Sequence, residues 1–259
     1  MQKITINQII KKKNKIPITC LTAYSKTIAQ IADRYCDIIL VGDSLGMVLY
    51  GMKTTREIKI ETMILHGKAV KNSTKKSLVV FDMPYRTYTN KFVAYKNAKK
   101  VIKLTKCDAI KLEGGKKIVK IIRYLTERGI PVMGHVGLLP QTSANFKTKG
   151  KNFTQKKQIF EDAIAVSNSG VFAIVIECVV ESLAKKITEN VSVPTIGIGA
   201  SMYCDGQVLV TDDMLGLSDF SPKFVKQYSN LSKVIEKSVK NYVKDVKRRK
   251  FPTYRNIYK

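Results

Sequence analysis

Ionisable residues stand at the ends of five successive apolar runs in the chain. In sequence order they are Asp43 with its neighbour Ser44, Asp82, Lys111 with Glu113, His135, and Glu177. The run "IILVGD" at 38–43, for instance, ends on a carboxylate, which is costly in a hydrophobic core and useful in a pocket. A single acid at such a position often caps a helix, but five ionisable positions in series indicate a shared site.

The acids of this series predict a site for a divalent metal. Carboxylates that share one pocket raise one another's pKa values unless a cation neutralises them. The chain offers oxygen ligands at these positions without a thiolate pair or a histidine pair, and this set favours Mg²⁺. We therefore predict that Asp43, Asp82 and Glu113 hold Mg²⁺.

The other members of the series suit proton transfer and substrate binding. Glu177 is expected to lie across the pocket from the metal and to act as a general base. Lys111 lies two residues before Glu113, hence on the same strand face, where it can hold a substrate carboxylate or stabilise an enolate. His135, in "GHVG", is either a substrate contact or a hydrogen-bonded structural residue, whereas His66 is expected to be structural.

The elements that must position these residues are eight apolar runs, which predict parallel strands. They are continuous in Val, Ile and Leu, a pattern typical of parallel strands covered on both faces. The predicted strands are 16–24, 38–43, 78–82, 109–113, 131–135, 172–177, 194–199 and 207–210. Eight strands alternating with helices favour a single (β/α)₈ TIM barrel over residues 1–259. A doubly wound open sheet has the same alternation, but it usually carries a glycine-rich loop after its first strand, which this chain lacks.

Amphipathic segments predict the helices, among them a short N-terminal and a long C-terminal helix. Thr5 and Gln8 have capping-box spacing, and Ser221-Pro222 predicts the start of the C-terminal helix. Other helix ends are indicated at Gly129 and Gly170. Ser25 is expected to cap a helix over 26–35 that shares an apolar face of Ile28, Ile31, Ala32 and Tyr35. The basic segment 143–158 is expected to be a loop, either a lid over the site or an ordinary surface loop.

Composition excludes several classes of protein. The net charge is +26, with 46 Lys and Arg against 20 Asp and Glu, but the basic residues are spread along the chain without interleaved aromatic residues. We therefore expect no nucleic-acid partner. No apolar run approaches the roughly 20 residues needed to cross a bilayer, so no membrane association is expected either. The five scattered cysteines and the absence of an evident secretory signal favour the cytoplasm.

Longer motifs resemble the ketopantoate hydroxymethyltransferase family. They include "ILVGDSLGMV", "AIKLEGG", "GIPVMGHVGLLPQ", "VPTIGIGAS" and "CDGQVLV", and they follow in order between about Ile4 and about Val225. The blocks "GDSLGM" and "GHVGLLPQ" are far more specific than any short pattern.

The resemblance implies a (β/α)₈ barrel that assembles as a homodecamer. It implies Mg²⁺-dependent transfer of a one-carbon unit from 5,10-methylenetetrahydrofolate to 3-methyl-2-oxobutanoate, through an enolate, giving 2-dehydropantoate for pantothenate biosynthesis. By position it makes Asp43, Asp82 and Glu113 metal-site acids, and Glu177 the proton acceptor. The implied contacts of the 2-oxo acid are Asp43, Ser44, Asp82 and Lys111.

Two other functions are compatible with parts of the sequence. A Mg²⁺-dependent carbon–carbon lyase of the isocitrate lyase type forms an enolate on a similar barrel, but such lyases usually carry a "KKCGH"-like loop that this chain lacks. A basic nucleic-acid binder without catalysis would fit the net charge, yet it gives no reason for the acidic series.

Overall fold

A computed structural model of the chain describes residues 2–143, 147–218 and 222–258. It divides into two compact units, Met1–Val210 and Thr211–Lys259. The first unit contains every strand of the described chain and the whole predicted ionisable series. That residues 1–259 form a single domain stays a prediction.

Eight parallel strands close into a barrel in the first unit. The strands are β1 Ile18–Thr22, β2 Ile38–Val41, β3 Leu78–Asp82, β4 Ala109–Glu113, β5 Val132–Gly137, β6 Ala173–Glu177, β7 Thr195–Ile198 and β8 Gly206–Leu209. Each strand pairs with its neighbours in sequence, and β1 pairs with β8 to close the ring. The predicted TIM barrel and all eight predicted strands are confirmed, with ends that shift by one or two residues.

Helices alternate with the strands around the barrel. In the first unit they are α1 Ile6–Ile10, α2 Lys26–Tyr35, α3 Leu45–Tyr50, α4 Ile60–Lys71, α5 Lys91–Thr105, α6 Val119–Thr126, α7 Phe153–Ser167 and α8 Glu181–Asn190. The second unit contains α9 Thr211–Met214 and α10 Leu231–Lys247. The predicted capping box of α1 is present, because Thr5 and Gln8 each accept the other's backbone N–H. None of the helices in the described ranges combines the length and apolar character needed to cross a membrane.

Side chains that alternate along each strand form two apolar layers. On β3, Leu78 and Val80 pack in the cluster inside the barrel, while Val79 and Phe81 pack in the cluster between the strands and the helices. Strands buried on both sides explain the continuous apolar runs of the sequence. The inner layer also fixes which residues can reach the mouth of the barrel, because side chains on one strand face recur at every second position.

Four details of the helix predictions are wrong. Helix α2 buries Ala29, Ala32 and Asp33, whereas Ile31 and Tyr35 of the predicted apolar face are exposed. The buried carboxylate of Asp33 accepts the backbone N–H groups of residues 75–77. The buried face of α2 therefore includes Asp33 and differs from the face that the apolar residues alone predict. Ser25 holds the N-cap position but makes no side-chain capping bond.

The other two details concern where helices begin. Helix α10 begins at Leu231, because Asn230 accepts the backbone N–H of Lys233 and caps it there. Ser221, at the predicted start, lies outside the described residues. In the segment 143–158 the loop ends at Asn152, whose side chain caps α7. Residues 153–158 are therefore helical, and residues 144–146 lie outside the described ranges.

Candidate active site

The strand register brings the predicted ionisable residues together at the carboxyl ends of neighbouring strands. Asp82 continues the inward series of β3, and it pairs in register with Lys111 of β4. Glu113 on β4 pairs with His135 on β5, and Glu177 closes β6. The carboxyl ends of barrel strands are where the active sites of this fold lie. The predicted convergence is thus present in the structure.

A buried ion pair lies at the centre of this group. The Lys111 Nζ is 2.6 Å from Asp82 Oδ2, and the two side chains are 6% and 3% exposed. Burial alone would lower the Lys111 pKa, but the negative charges of Asp82, Asp43 and Glu113 outweigh it and raise that pKa. Lys111 is therefore a fixed cation. The other oxygen of Asp82, Oδ1, is buried without a hydrogen-bond partner among the described residues.

Asp43 lies in the turn that leads from β2 into α3. Burial, followed by the charge of Asp82, raises the pKa of Asp43 to about 7. Its Oδ2 accepts a hydrogen bond of 2.8 Å from Nε2 of Gln141. The next residue, Ser44, has its Oγ 2.8 Å from the Tyr24 hydroxyl. The turn thus presents a carboxyl group and a hydroxyl group held by separate partners.

Glu113 and His135 form a second buried pair. Burial raises the pKa of Glu113 well above its usual value, and its Oε1 accepts the backbone N–H of Gln141. Its Oε2 is 3.8 Å from His135 Nδ1. Burial, followed by the nearby Lys111 cation, lowers the pKa of His135, so the imidazole is neutral at pH 7. Neither ring nitrogen of His135 has a hydrogen-bond partner of good geometry within the described residues.

Glu177 is the more accessible carboxylate of the group. Its Oε2 is 3.2 Å from His135 Nε2, and its side chain is 16% exposed, against 2–3% for Asp82 and Glu113. The neighbouring segment is anchored, since Lys149 donates its backbone N–H to the Cys178 carbonyl and accepts that of Val180. A carboxylate at a partly open position beside a neutral histidine can take a proton from a small molecule in the mouth.

The donor set fits Mg²⁺ through two carboxylates. Across residues 2–143, 147–218 and 222–258, no three His, Cys, Asp or Glu side chains are grouped as a ready-made chelate. The three predicted acids lie at the same mouth but do not form a ready-made chelate, and Oε1 of Glu113 accepts the backbone N–H of Gln141. Mg²⁺ commonly binds one or two carboxylates and completes its shell with water and substrate. Oδ1 of Asp82 is buried without a hydrogen-bond partner among the described residues, so it is an oxygen that a cation could use.

Two residues of the site were missed by the sequence reasoning. Gln141 contacts both Asp43 and Glu113, and the Tyr88 hydroxyl donates to Gln141 Oε1. Neither side chain is ionised near neutral pH, so a search for charged strand ends passes over them. The position of Gln141, within the block "GHVGLLPQ" just after β5, was the available signal. His66, expected to be structural, contacts the Tyr24 carbonyl and the Tyr50 hydroxyl through its two ring nitrogens.

The sequence matches the family model described as ketopantoate hydroxymethyltransferase over residues 3–254. Relatives named 3-methyl-2-oxobutanoate hydroxymethyltransferase include one from Pelagibacter ubique (strain HTCC1062), 56% identical over 258 residues and 100% of both chains. Another, from Bartonella tribocorum (strain CIP 105476 / IBS 506), is 49% identical over 263 residues, covering 100% of this chain and 97% of the relative.

Solved structures of other enzymes have a similar fold. Phosphonopyruvate hydrolase in complex with oxalate and Mg²⁺ superposes with a TM-score of 0.64 at 12% identity, covering 98% of this chain and 92% of the other. A 2,3-dimethylmalate lyase, described as a PEP mutase/isocitrate lyase superfamily member, gives 0.63 at 10% identity, covering 99% and 89%. At these identities the likeness concerns the fold alone, whereas the sequence matches extend over nearly the whole chain.

Proposed function

The chain belongs to the ketopantoate hydroxymethyltransferase family, and we propose that it transfers a hydroxymethyl unit from 5,10-methylenetetrahydrofolate to 3-methyl-2-oxobutanoate. The product, 2-dehydropantoate, would serve pantothenate biosynthesis. One observation of the site carries this proposal: a buried lysine paired with Asp82, an Asp82 oxygen without a hydrogen-bond partner among the described residues, and the more open carboxylate of Glu177 share one barrel mouth. A 2-oxo acid needs these groups, since its carboxylate and keto oxygens require cations and its C3 hydrogen requires a base.

Asp43 and Asp82 would hold Mg²⁺, with Glu113 as the third acid of the same group. When bound, Mg²⁺ polarises the keto group of the 2-oxo acid and so acidifies the hydrogen on C3. Burial and the charge of Asp82 raise the pKa of Asp43, and burial also raises the pKa of Glu113, so both carboxylates would be favoured in their ionised forms by a bound cation.

Substrate orientation would depend on Lys111 and Ser44. The Lys111 ammonium is fixed by Asp82 and stays charged, so it can face the developing negative charge of the enolate without reorganising. Ser44, held by the Tyr24 hydroxyl, can present its own hydroxyl to the oxo acid beside Asp43. His135 is neutral and lies buried beside Glu177. It would contact the substrate there without placing a second cation next to Lys111.

Proton transfer would be the task of Glu177. Its carboxylate is partly exposed, and the neighbouring imidazole of His135 is uncharged, so it does not neutralise the carboxylate as an imidazolium would. Glu177 would accept the proton from C3 of the oxo acid, and the resulting carbon nucleophile would attack the methylene group carried by the folate. One C–N bond of the methylene group would break as its carbon bonds to C3, and water would replace the second folate nitrogen and supply the hydroxyl. The two folate nitrogens would take up the proton from Glu177 and the remaining proton of the water.

Product analysis tests the proposal directly. We expect 2-dehydropantoate to form from 3-methyl-2-oxobutanoate and 5,10-methylenetetrahydrofolate when Mg²⁺ is present. Product should be lost with a chelator and restored by excess Mg²⁺, and its formation should require the folate. Folate-independent cleavage of a larger 2-oxo or 2-hydroxy acid would instead favour the carbon–carbon lyase and contradict the transferase.

The assembly and location belong to the same proposal. The family resemblance implies a homodecamer, and the five free cysteines suit the reducing environment of the cytoplasm. Light scattering on the purified protein measures the mass, and a monomeric or dimeric mass would contradict the decamer. The +26 net charge is expected to give only weak, strongly salt-dependent attraction to nucleic acid, without a specific partner.

A further inference from the structure

Gln141 is a buried neutral residue whose side-chain amide and main-chain groups all make hydrogen bonds. Its side chain is about 1% exposed. Nε2 donates to Asp43 Oδ2 at 2.8 Å and to the Met83 carbonyl at 3.0 Å. Its backbone N–H donates to Glu113 Oε1 at 2.8 Å, and its backbone carbonyl accepts from Arg56 Nε at 2.8 Å. One residue thus joins two of the acids that the proposed function places around the metal.

The Tyr88 hydroxyl fixes which way the Gln141 amide points. This hydroxyl is buried and donates to Gln141 Oε1. A flipped amide would place its oxygen against the Asp43 carboxylate and the Met83 carbonyl, two acceptors that offer no proton. The NH₂ group therefore faces Asp43, and Tyr88 holds it there.

A hydrogen bond from this amide to a carboxylate has a consequence for metal binding. Hydrogen bonds to ionised acceptors are stronger than bonds between neutral groups, and they restrict the rotation of the carboxylate. Partners of this kind orient metal-binding carboxylates, and losing one typically weakens metal affinity about 10–100-fold. Gln141 acts on Asp43 through its side chain and on Glu113 through its main chain, so the two contacts can be separated by mutation.

We propose that Gln141, oriented by Tyr88, is a positioning residue that holds Asp43 and Glu113 in place for the metal and the 2-oxo acid. The inference rests on the proposed function for the identity of the substrate. It assigns to this residue no contact with the reacting atoms. Its effect is expected on metal affinity and on kcat, and not on the KM for the folate.

The test replaces Gln141 by a side chain of similar length without an amide. Gln141→Met removes the donor to Asp43 and keeps the backbone N–H that reaches Glu113. We expect the affinity for Mn²⁺, measured by electron paramagnetic resonance with and without 3-methyl-2-oxobutanoate, to fall about 10–100-fold. In the assay, kcat should fall while the KM for 5,10-methylenetetrahydrofolate stays within twofold. The matched control is Gln30→Met on the exposed side of α2, which should leave both values unchanged.

A second variant keeps the inference testable if Gln141→Met does not fold. Tyr88→Phe removes only the hydroxyl that orients the amide, and it should weaken Mn²⁺ binding in the same direction by a smaller factor. The double variant should bind Mn²⁺ no more weakly than Gln141→Met, because both changes act through one hydrogen bond to Asp43. Tyr35→Phe, at an exposed hydroxyl on α2, is the control.

The Mn²⁺ titration needs no turnover, and so it separates this inference from the proposed function. Folded Gln141→Met or Tyr88→Phe with wild-type Mn²⁺ affinity would overturn the positioning role, as would wild-type protein that binds no Mn²⁺ in either condition. If wild-type protein forms no 2-dehydropantoate but the variants still weaken Mn²⁺ binding, the transferase is refuted and the positioning role stands.

Discussion

Replacing Lys111 by methionine should destabilise the folded protein far more than replacing a surface lysine that also makes an ion pair. Lys111 Nζ lies 2.6 Å from Asp82 Oδ2, and both side chains are almost fully buried. At an effective dielectric constant of about 20, unit charges at that distance attract by roughly 6 kcal/mol, against a desolvation cost of several kcal/mol for each ion. Lys111→Met removes the attraction but leaves the Asp82 carboxylate buried. We therefore expect a loss of about 3–5 kcal/mol in the free energy of unfolding.

The matched control is Lys100→Met. Lys100 Nζ lies 2.9 Å from Glu61 Oε1, but the two side chains are 45% and 66% exposed. Water screens this pair, and such exposed pairs typically contribute about 0–1 kcal/mol. The two lysines thus make contacts of similar length, and only burial separates the expected costs.

The assay is urea unfolding at pH 8 with a chelator present, so that no bound metal compensates Asp82. Adding Asp82→Asn to Lys111→Met should recover part of the lost stability, because the double variant no longer buries an unpaired charge. Equal losses for Lys111→Met and Lys100→Met, or simple additivity in the double variant, would refute the reasoning from burial.

Three further predictions concern the base, the acid with the raised pKa and a glycine beside the base. Glu177→Gln should slow exchange of the C3 hydrogen of 3-methyl-2-oxobutanoate with deuterium by about 10²–10⁴-fold. NMR measures this rate, and wild-type exchange, as expected for the exposed control Glu189→Gln, would contradict the role of base. For Asp43, the folded-state pKa of about 7 lies above the unfolded value near 4, so the folded metal-free protein holds a proton that the unfolded chain has released. Stability should therefore fall by a few kcal/mol between about pH 4 and pH 7, and Asp43→Asn should reduce that slope in urea titrations, leaving the part contributed by the raised pKa of Glu113; an unchanged slope would refute the assignment. Gly137→Ala should cost about 1–3 kcal/mol in thermal unfolding and slow turnover, since φ is +98° and a Cβ would stand 2.4 Å from the Glu177 carbonyl oxygen. Gly129→Ala, with positive φ but open space around its Cβ, should keep wild-type turnover.

The barrel was predictable because its strands are buried on both faces. Continuous apolar runs of four to six residues leave little freedom in placing strands, and their number with intervening helices favours a closed ring. The same regularity made the ionisable series visible, since a charged residue at the end of such a run has few structural explanations. Lys111 and Glu113 on β4 are an example, because alternation along a strand puts both on the inner face.

Helix faces and helix ends were less predictable because polar side chains compete with apolar ones for the buried positions. On α2 the carboxylate of Asp33 is buried, because three backbone N–H groups of residues 75–77 satisfy it. A pattern that counts only apolar residues assigns that face to Ile31 and Tyr35, which are exposed. The partners of Asp33 lie more than 40 residues away in sequence, so no local pattern contains them.

The same limit applies to the site. The sequence identifies the charged residues, but it does not show which distant residues form hydrogen bonds with them. The sequence predicts that Asp43 and Glu113 share a pocket, and their charges alone predict that both bind the same cation. In the structure Gln141 contacts both acids: its side-chain amide donates to Asp43, and its backbone N–H donates to Glu113. Asp43 and Glu113 are therefore held by separate donors of one residue, whereas Asp82 keeps its Oδ1 buried without a hydrogen-bond partner among the described residues. The separation of 98 residues between Asp43 and Gln141 shows why this division depends on the closed barrel. The successive pairing of β2 with β3, β3 with β4 and β4 with β5 brings the turn after β2 and the loop after β5 to the same mouth.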